Sequence, residues 1–196
     1  MQAGGLLVVM ALAEEEQGLL QAAGADLLIT GIGKVNAASL LGRELVARRL
    51  GGRPTTRVLN LGTAGSRRFA TGSLVGCHRF VQRDMDVSPL GFARGTTPFD
   101  PQWGGELAFV PAFAHLPQGL CGTGDSFDTG AHALHCDVLD MEAYALAKVC
   151  CHEGVDFACA KYISDGADHS SATDWSAALP AAAAAFLGLY SHLAHT

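Results

Sequence analysis

Three tight sets of acidic side chains stand at expected strand ends or helix starts. Glu14-Glu15-Glu16 follows an apolar run, Asp140-Met141-Glu142 opens an Ala-rich stretch, and Asp165 and Asp168 stand in Ser-Asp-Gly-Ala-Asp after another apolar run. Each set taken alone suits the first turn of a helix, where a carboxylate stabilises by ~0.3–1 kcal/mol. Taken together they suit cleavage of a glycosidic bond. One acid protonates the leaving group, another orients or activates water, and a third holds sugar hydroxyls. Carboxylates also stabilise the positive charge of an oxocarbenium-like sugar. The three consecutive glutamates cannot all face one pocket, since neighbours on a helix point ~100° apart.

Other groups carry weaker signals. Gly31-Ile32-Gly33-Lys34 lacks the G-x-x-x-x-G-K-[ST] spacing of a triphosphate-binding loop. His132, His135 and Cys136 lack a second ligand pair at metal-binding spacing, so a surface turn is preferred and no metal is expected. Phe127 and Trp175 read as ordinary core or surface aromatics, or as flat surfaces on which a ligand would stack in a pocket. The cysteines at 77, 121, 136, 150, 151 and 159 form no C-x-x-C, and read as small buried hydrophobes in a reducing compartment.

Residues so far apart in the chain meet only if the fold gathers strand ends. Leu6–Leu12, Leu27–Thr30, Arg57–Leu61, Gly119–Gly122 and Phe157–Ile163 read as short buried strands, and Gly-rich segments follow most of them. Helical patterns alternate with them at Glu14–Ala23, Val35–Leu50, Met141–Glu153 and roughly Thr173–His192, where Pro180 should start or kink the helix. The alternation predicts an α/β fold with a largely parallel sheet, whose ligands bind at the carboxyl ends of the strands. The irregular stretch Val81–Glu106 reads as a functional loop or an interface.

Composition narrows the function classes. The chain has 196 residues, which at ~150 per domain predicts one domain over 1–196. Hydrophobic residues are 49%, enough apolar surface to fold and bury a core. The net charge of −6, with no strong Lys/Arg cluster, disfavours electrostatic binding of nucleic acid. No Lys or Arg precedes the apolar run Leu6–Ala13 and three glutamates follow it, the wrong charge order for a signal peptide. Ala177–Tyr190 falls short of the ~20 residues that span a bilayer. The expectation is a cytoplasmic protein with neither a membrane nor a nucleic-acid partner.

Six segments, in order, then resemble one family: ALAEEE (11–16), TGIGKVNAA (30–38), NLGTAG (60–65), GTGDSF (122–127), DMEAYALAKVC (140–150) and ISDGAD (163–168). They resemble the nucleoside phosphorylase/nucleosidase superfamily, and within it bacterial 5′-methylthioadenosine/S-adenosylhomocysteine nucleosidases. The resemblance implies a single α/β domain with a mixed, largely parallel central sheet flanked by helices. It implies cleavage of a purine nucleoside without metal or organic cofactor. By position, Asp165 would protonate N7 of the purine and Glu16 would bind and activate water. Glu142 would grip the ribose hydroxyls, Met141 would pack under the sugar, and Thr63 would stand near it. Phe127 would stack on adenine, the backbone of Asp128 would read the base edge, and Ser164 accompanies Asp165. Ile32 and Trp175 would line the site of the 5′ substituent. Val87, Leu90 and Phe92 would reach in from a second subunit, which implies a homodimer with shared active sites.

The sequence also departs from the family pattern. Few residues separate Leu20 from Leu27, where members usually carry a β-hairpin. Ala13 replaces a larger apolar residue, Asp140 a common Glu and Lys161 a common Arg. A phosphorylase must hold a phosphate dianion, usually with Arg or backbone N–H groups. Glu14–Glu16 would repel phosphate, whereas Arg67-Arg68 after the Gly-rich turn could approach it. Hydrolysis is therefore expected. The alternatives are phosphorolysis, hydrolysis of another nucleoside such as futalosine, or a non-catalytic nucleoside binder.

Overall fold

The structure is a computed structural model that describes residues 5–126, 134–167 and 171–194, with no side-chain description for 171–174. The elements run β1 (Leu6–Met10), a 3₁₀ turn (Ala13–Glu15), α1 (Leu19–Ala22), β2 (Leu27–Ile29), α2 (Lys34–Leu50), β3 (Arg57–Gly65), β4 (Leu74–Gln82), a 3₁₀ turn (Ser88–Leu90), β5 (Leu107–Ala108), β6 (Gln118–Thr123), β7 (Val138–Asp140), α3 (Ala143–Glu153), β8 (Asp156–Asp165) and α4 (Ser171–Ala194). The fold is α/β, with one mixed eight-stranded sheet flanked by helices.

Side chains alternate across the pleated strands and feed two cores. Leu7 and Val9 of β1, Val58 of β3 and Phe157 and Cys159 of β8 pack with Leu41 of α2 and Tyr144 of α3. Val8 and Met10, Leu59 and Leu61, and Ala158 and Ala160 pack instead with Leu20 of α1 and Phe186 of α4. Each large side chain buried in this way contributes about 1.5–3 kcal/mol. Both faces of β1, β3 and β8 are covered, which is why these strands read as nearly continuous apolar runs.

The central pairings β1–β2, β1–β3, β3–β8, β4–β6 and β6–β7 are parallel. Antiparallel pairing enters through β4–β8, β4–β5 and a single bridge between Gly65 of β3 and Leu139 of β7. That bridge closes β3, β8, β4, β6 and β7 into a ring.

Three expectations change. The helix over Glu14–Ala23 is instead a 3₁₀ turn and a four-residue α1, separated by Gly18 at φ +76°. Of the two outcomes expected at Pro180, starting or kinking the helix, the first does not hold, since Pro180 lies inside α4. Trp175–Ala194 is long and apolar enough to cross a membrane by length and composition alone, where a shorter stretch was expected. In the fold one side of this helix is taken up by the sheet, through buried Leu179, Ala182, Ala183, Phe186 and Leu189. The free cysteines at 77, 121, 150 and 159 are buried, and burial pushes the Cys150 thiol up, which keeps it protonated and inert.

Candidate active site

The carboxyl-terminal ends of β1, β3 and β8 point the same way, because these strands are parallel neighbours. The chain leaving each end contributes to one cavity of about 230 Å³. Thr63, Ala64 and Gly65 line it from β3, and Ser164 and Asp165 from β8. Met141 and Glu142 come from the turn between β7 and α3, while Leu12, Ile32 and Trp175 supply apolar wall.

Glu15, not Glu16, is the glutamate of the triple that enters this cavity. Its Oε1 accepts the Thr63 amide at 2.8 Å and the Thr63 hydroxyl at 2.7 Å. Glu16 turns away, and its Oε2 accepts the backbone N–H groups of Leu20 at 2.9 Å and Gln21 at 3.2 Å. Both glutamates are buried, but Glu16 is committed to the unpaired amides at the start of α1. The expectation that Glu16 faces water and substrate is therefore corrected by one residue. β1 stops at Met10, and the 3₁₀ turn that follows aims position 15 at β3 and position 16 at α1.

Asp165 is 5% exposed at the end of β8. Its Oδ2 accepts the Ser164 hydroxyl at 2.8 Å and its Oδ1 the Ala167 amide at 2.9 Å. A Cβ on Gly65 would lie 2.8 Å from Asp165 Oδ1 and 3.3 Å from the Ala167 Cα. Glycine is thus required by close approach, and Gly65→Ala must displace the carboxylate or the loop behind it. We expect this variant to fold and to lose roughly 10- to 100-fold in kcat, read by steady-state kinetics beside a circular dichroism spectrum. A wild-type rate would show that the placement of Asp165 is not critical.

A buried ion pair borders the cavity through Asp140. Lys161 Nζ is 2.9 Å from Asp140 Oδ2, and both side chains are almost fully inaccessible. The Thr123 hydroxyl and the Ala143 amide also donate to Asp140. Burial alone would raise the Asp140 pKa, but Lys161 and these hydrogen bonds outweigh it and hold the acid low. Burial alone would lower Lys161, but Asp140, together with Cys159, Cys121 and Glu142, outweighs it and holds the ammonium well above its ordinary value. A Cβ on Gly62 would sit 3.4 Å from Lys161 Nζ and 3.5 Å from Glu15 Oε1, so the cation and that carboxylate flank the same glycine.

Glu142 behaves differently. Burial, then the charge on Asp140, push its pKa up to about 7, although Lys161 and the Gly33 amide at 2.8 Å favour the ionised form. The resemblance implies that Glu142 holds the ribose hydroxyls, and a carboxylate that accepts two hydroxyls must be ionised. Nucleoside affinity should therefore rise with pH up to about 7 and level off above it. Below that point it should fall by as much as about tenfold per pH unit. KM measured between pH 5 and 8.5 checks this, and Glu142→Gln should flatten the profile. In the ligand-free protein the same shift has the opposite sign. A group raised from 4.5 to about 7 binds more protons in the folded state, so its contribution to stability declines as pH rises through that window.

Comparison with known proteins places this arrangement. A family model described as the phosphorylase superfamily matches residues 17–194. The chain belongs to the phosphorylase superfamily. A 5′-methylthioadenosine/S-adenosylhomocysteine nucleosidase of Geobacillus thermodenitrificans is 35% identical over 84% of this chain and 76% of its own length. Among solved structures, a Helicobacter pylori enzyme of the same name, complexed with a pyrrolidine ligand carrying a pyrrolopyrimidine, superposes with a TM-score of 0.83 at 18% identity over 98% of each chain. A mutant of the futalosine hydrolase of Helicobacter pylori superposes at 0.81 with 20% identity over 95% of this chain and 96% of the other.

In this phosphorylase-superfamily chain the structure brings Asp165, Glu142, Met141, Thr63, Ile32, Ser164 and Trp175 to one cavity. Phe127 and Asp128 lie outside the described residues. Val87, Leu90 and Phe92 do not line the cavity of their own chain. Leu90 is 72% exposed, and Phe92 packs edge-on against Phe99 with ring centroids 5.5 Å apart. Arg67 and Arg68 do not line it either. Arg67 donates to the Ala167 carbonyl at 3.0 Å, and Arg68 pairs with Asp137 at 2.8 Å.

Sequence reasoning missed Glu15, Arg83 and Asp140 as lining residues, and the pairing of Asp140 with Lys161. Arg83 is tied to Gly124 and Ser126. A polar residue at 161 within an otherwise apolar strand was the available signal for the pair.

Proposed function

We propose that this enzyme is a purine-nucleoside N-ribohydrolase. Its substrates would be 5′-methylthioadenosine and S-adenosylhomocysteine-type nucleosides, cleaved to adenine and a 5′-substituted ribose. The observation that carries the reading is Glu15, a buried carboxylate pinned by Thr63 at the edge of a cavity that also holds Asp165, Asp140 and Glu142. Lys161 balances Asp140, and with Asp165 carrying a proton the charge of Glu15 and ionised Glu142 favours a cationic sugar while opposing a phosphate dianion. The naming of the relatives as nucleosidases agrees with this electrostatic argument.

In the proposed reaction Asp165 gives its proton to purine N7, and the N9–C1′ electron pair leaves with the base. Water attacks C1′ and passes a proton to Glu15. Ionised Glu142 accepts the ribose hydroxyls, and Met141 packs under the sugar. Apolar Leu12, Ile32 and Trp175 would receive the 5′ substituent. We also propose a homodimer, in which the exposed segment around Leu90 covers the partner's cavity mouth beside half-exposed Ile32. A cytoplasmic location suits its free buried thiols.

The test is base release from methylthioadenosine, adenosylhomocysteine, deoxyadenosine, adenosine, inosine and futalosine, each with and without phosphate. Release without phosphate supports hydrolysis, and a strict phosphate requirement overturns it. Two neighbouring substitutions sharpen the assignment. Glu15→Gln should lower kcat by roughly 10²-fold or more. Glu16→Gln should mainly weaken the start of α1, by about 1 kcal/mol, with kcat largely retained. The reverse ranking would return the water-activating role to Glu16.

A further inference from the structure

Trp175 does more than supply apolar wall. Its indole Nε1 lies 2.9 Å from Thr63 Oγ1, and Thr63 Oγ1 lies 2.7 Å from Glu15 Oε1. An indole N–H can only donate, so the Thr63 oxygen must accept it. A hydroxyl carries one hydrogen, and a carboxylate accepts but does not donate. The Thr63 hydrogen therefore points at Glu15. The Thr63 amide reaches the same carboxylate oxygen at 2.8 Å, so that oxygen is held by two donors whose directions are fixed.

We infer that Trp175 is a positioning residue for the water-activating carboxylate, acting through the Thr63 hydroxyl. The inference rests on the hydrolase reading and on the role given there to Glu15. Phenylalanine at 175 would fill nearly the same wall and would lack the donor. The Thr63 hydroxyl could then rotate, and one of the two anchors on Glu15 Oε1 would lose its direction. The contact spans residues 15, 63 and 175, one from the turn after β1, one from β3 and one from α4. It therefore also ties the orientation of Glu15 to the seating of the last helix.

The experiment compares Trp175→Phe, Thr63→Val, their double variant and Thr63→Ser. Trp175→Phe should lower kcat roughly 3- to 10-fold with KM for methylthioadenosine nearly unchanged. Thr63→Ser keeps the hydroxyl and should lose less kcat than Thr63→Val. Adding Trp175→Phe to Thr63→Val should produce no further loss, because the acceptor is already gone. A pure packing role would instead raise KM and add to Thr63→Val. Either result, or an unchanged kcat in Trp175→Phe, overturns the inference.

A second readout does not depend on turnover. The indole N–H resonance of Trp175, assigned by its loss in Trp175→Phe, should shift upfield and lose exchange protection in Thr63→Val. An unmoved resonance also overturns the inference. If the wild type releases no base from any nucleoside while the resonance moves as expected, the hydrogen bond stands and the hydrolase reading fails.

Discussion

If Asp165 is the general acid, Asp165→Asn should lower kcat by roughly 10²- to 10⁴-fold while nucleoside binding is nearly retained. Asparagine matches the shape of the carboxyl group, and its Oδ1 can still accept the Ala167 amide. Its amide can donate to Ser164, which then accepts where it formerly donated. The loss is the acidic proton. A purine leaves readily only when N7 takes up a proton as the N9–C1′ bond breaks, and an amide cannot supply one at neutral pH. Calorimetric titration with methylthioadenosine, beside single-turnover base release, separates the two effects. A kcat near wild type would remove Asp165 from the reaction, and loss of binding without loss of kcat would make it a binding group.

The second large effect is on stability. Lys161→Met leaves Asp140 buried with no opposing charge, and breaking one side of such a pair destabilises by ~3–5 kcal/mol. For a chain of this size that corresponds to a melting temperature lower by about 10 °C. Asp140→Asn in the same background should recover part of the loss, because the uncompensated charge is gone. Lys161→Arg should restore charge and part of the stability. Thermal melts of the four proteins decide the matter. A Lys161→Met protein as stable as wild type would mean that the pair contributes little. The variant should also alter the pH dependence of KM, since Lys161 opposes the upward push on Glu142.

Legibility of the fold followed the physics of burial. β1, β3 and β8 were visible because helices cover both of their faces, and α2 because its Ala/Leu pattern runs unbroken from Lys34 to Leu50. β4 was not recognised as a strand, for Gly76, His78 and Arg79 interrupt its apolar residues and its register shifts between Cys77 and Arg79. β7 is three residues long, too short for any periodicity. The antiparallel pairings that make the sheet mixed depend on these two strands and on β5.

The candidate site shows the same division. Seven of the residues expected there do line the cavity: Asp165, Glu142, Met141, Thr63, Ile32, Ser164 and Trp175. They sit at strand ends and turns that the sequence marks well. The choice between Glu15 and Glu16 depends on where β1 stops and how the next turn rotates, and three identical neighbours carry no information about that. The contact between Trp175 and Thr63 joins residues 112 positions apart and leaves no trace in local pattern.

The closed ring of strands has a consequence in time. β3 and β8 pair from Arg57 with Asp156 to Gly65 with Asp165, and the ring shuts at Gly65 with Leu139. Pairings between such distant stretches form late, because the loss of chain entropy precedes their reward. At ~5–20 residues per second, about 150 residues of synthesis separate Glu15 from Asp165, an interval of roughly 8–30 s. Until Asp165 is made the chain lacks its proposed proton donor, and Thr63, the partner of Glu15, itself follows that glutamate by 48 residues. Glu15 and Asp165, the proposed base and acid, therefore meet only once β8 has docked on β3.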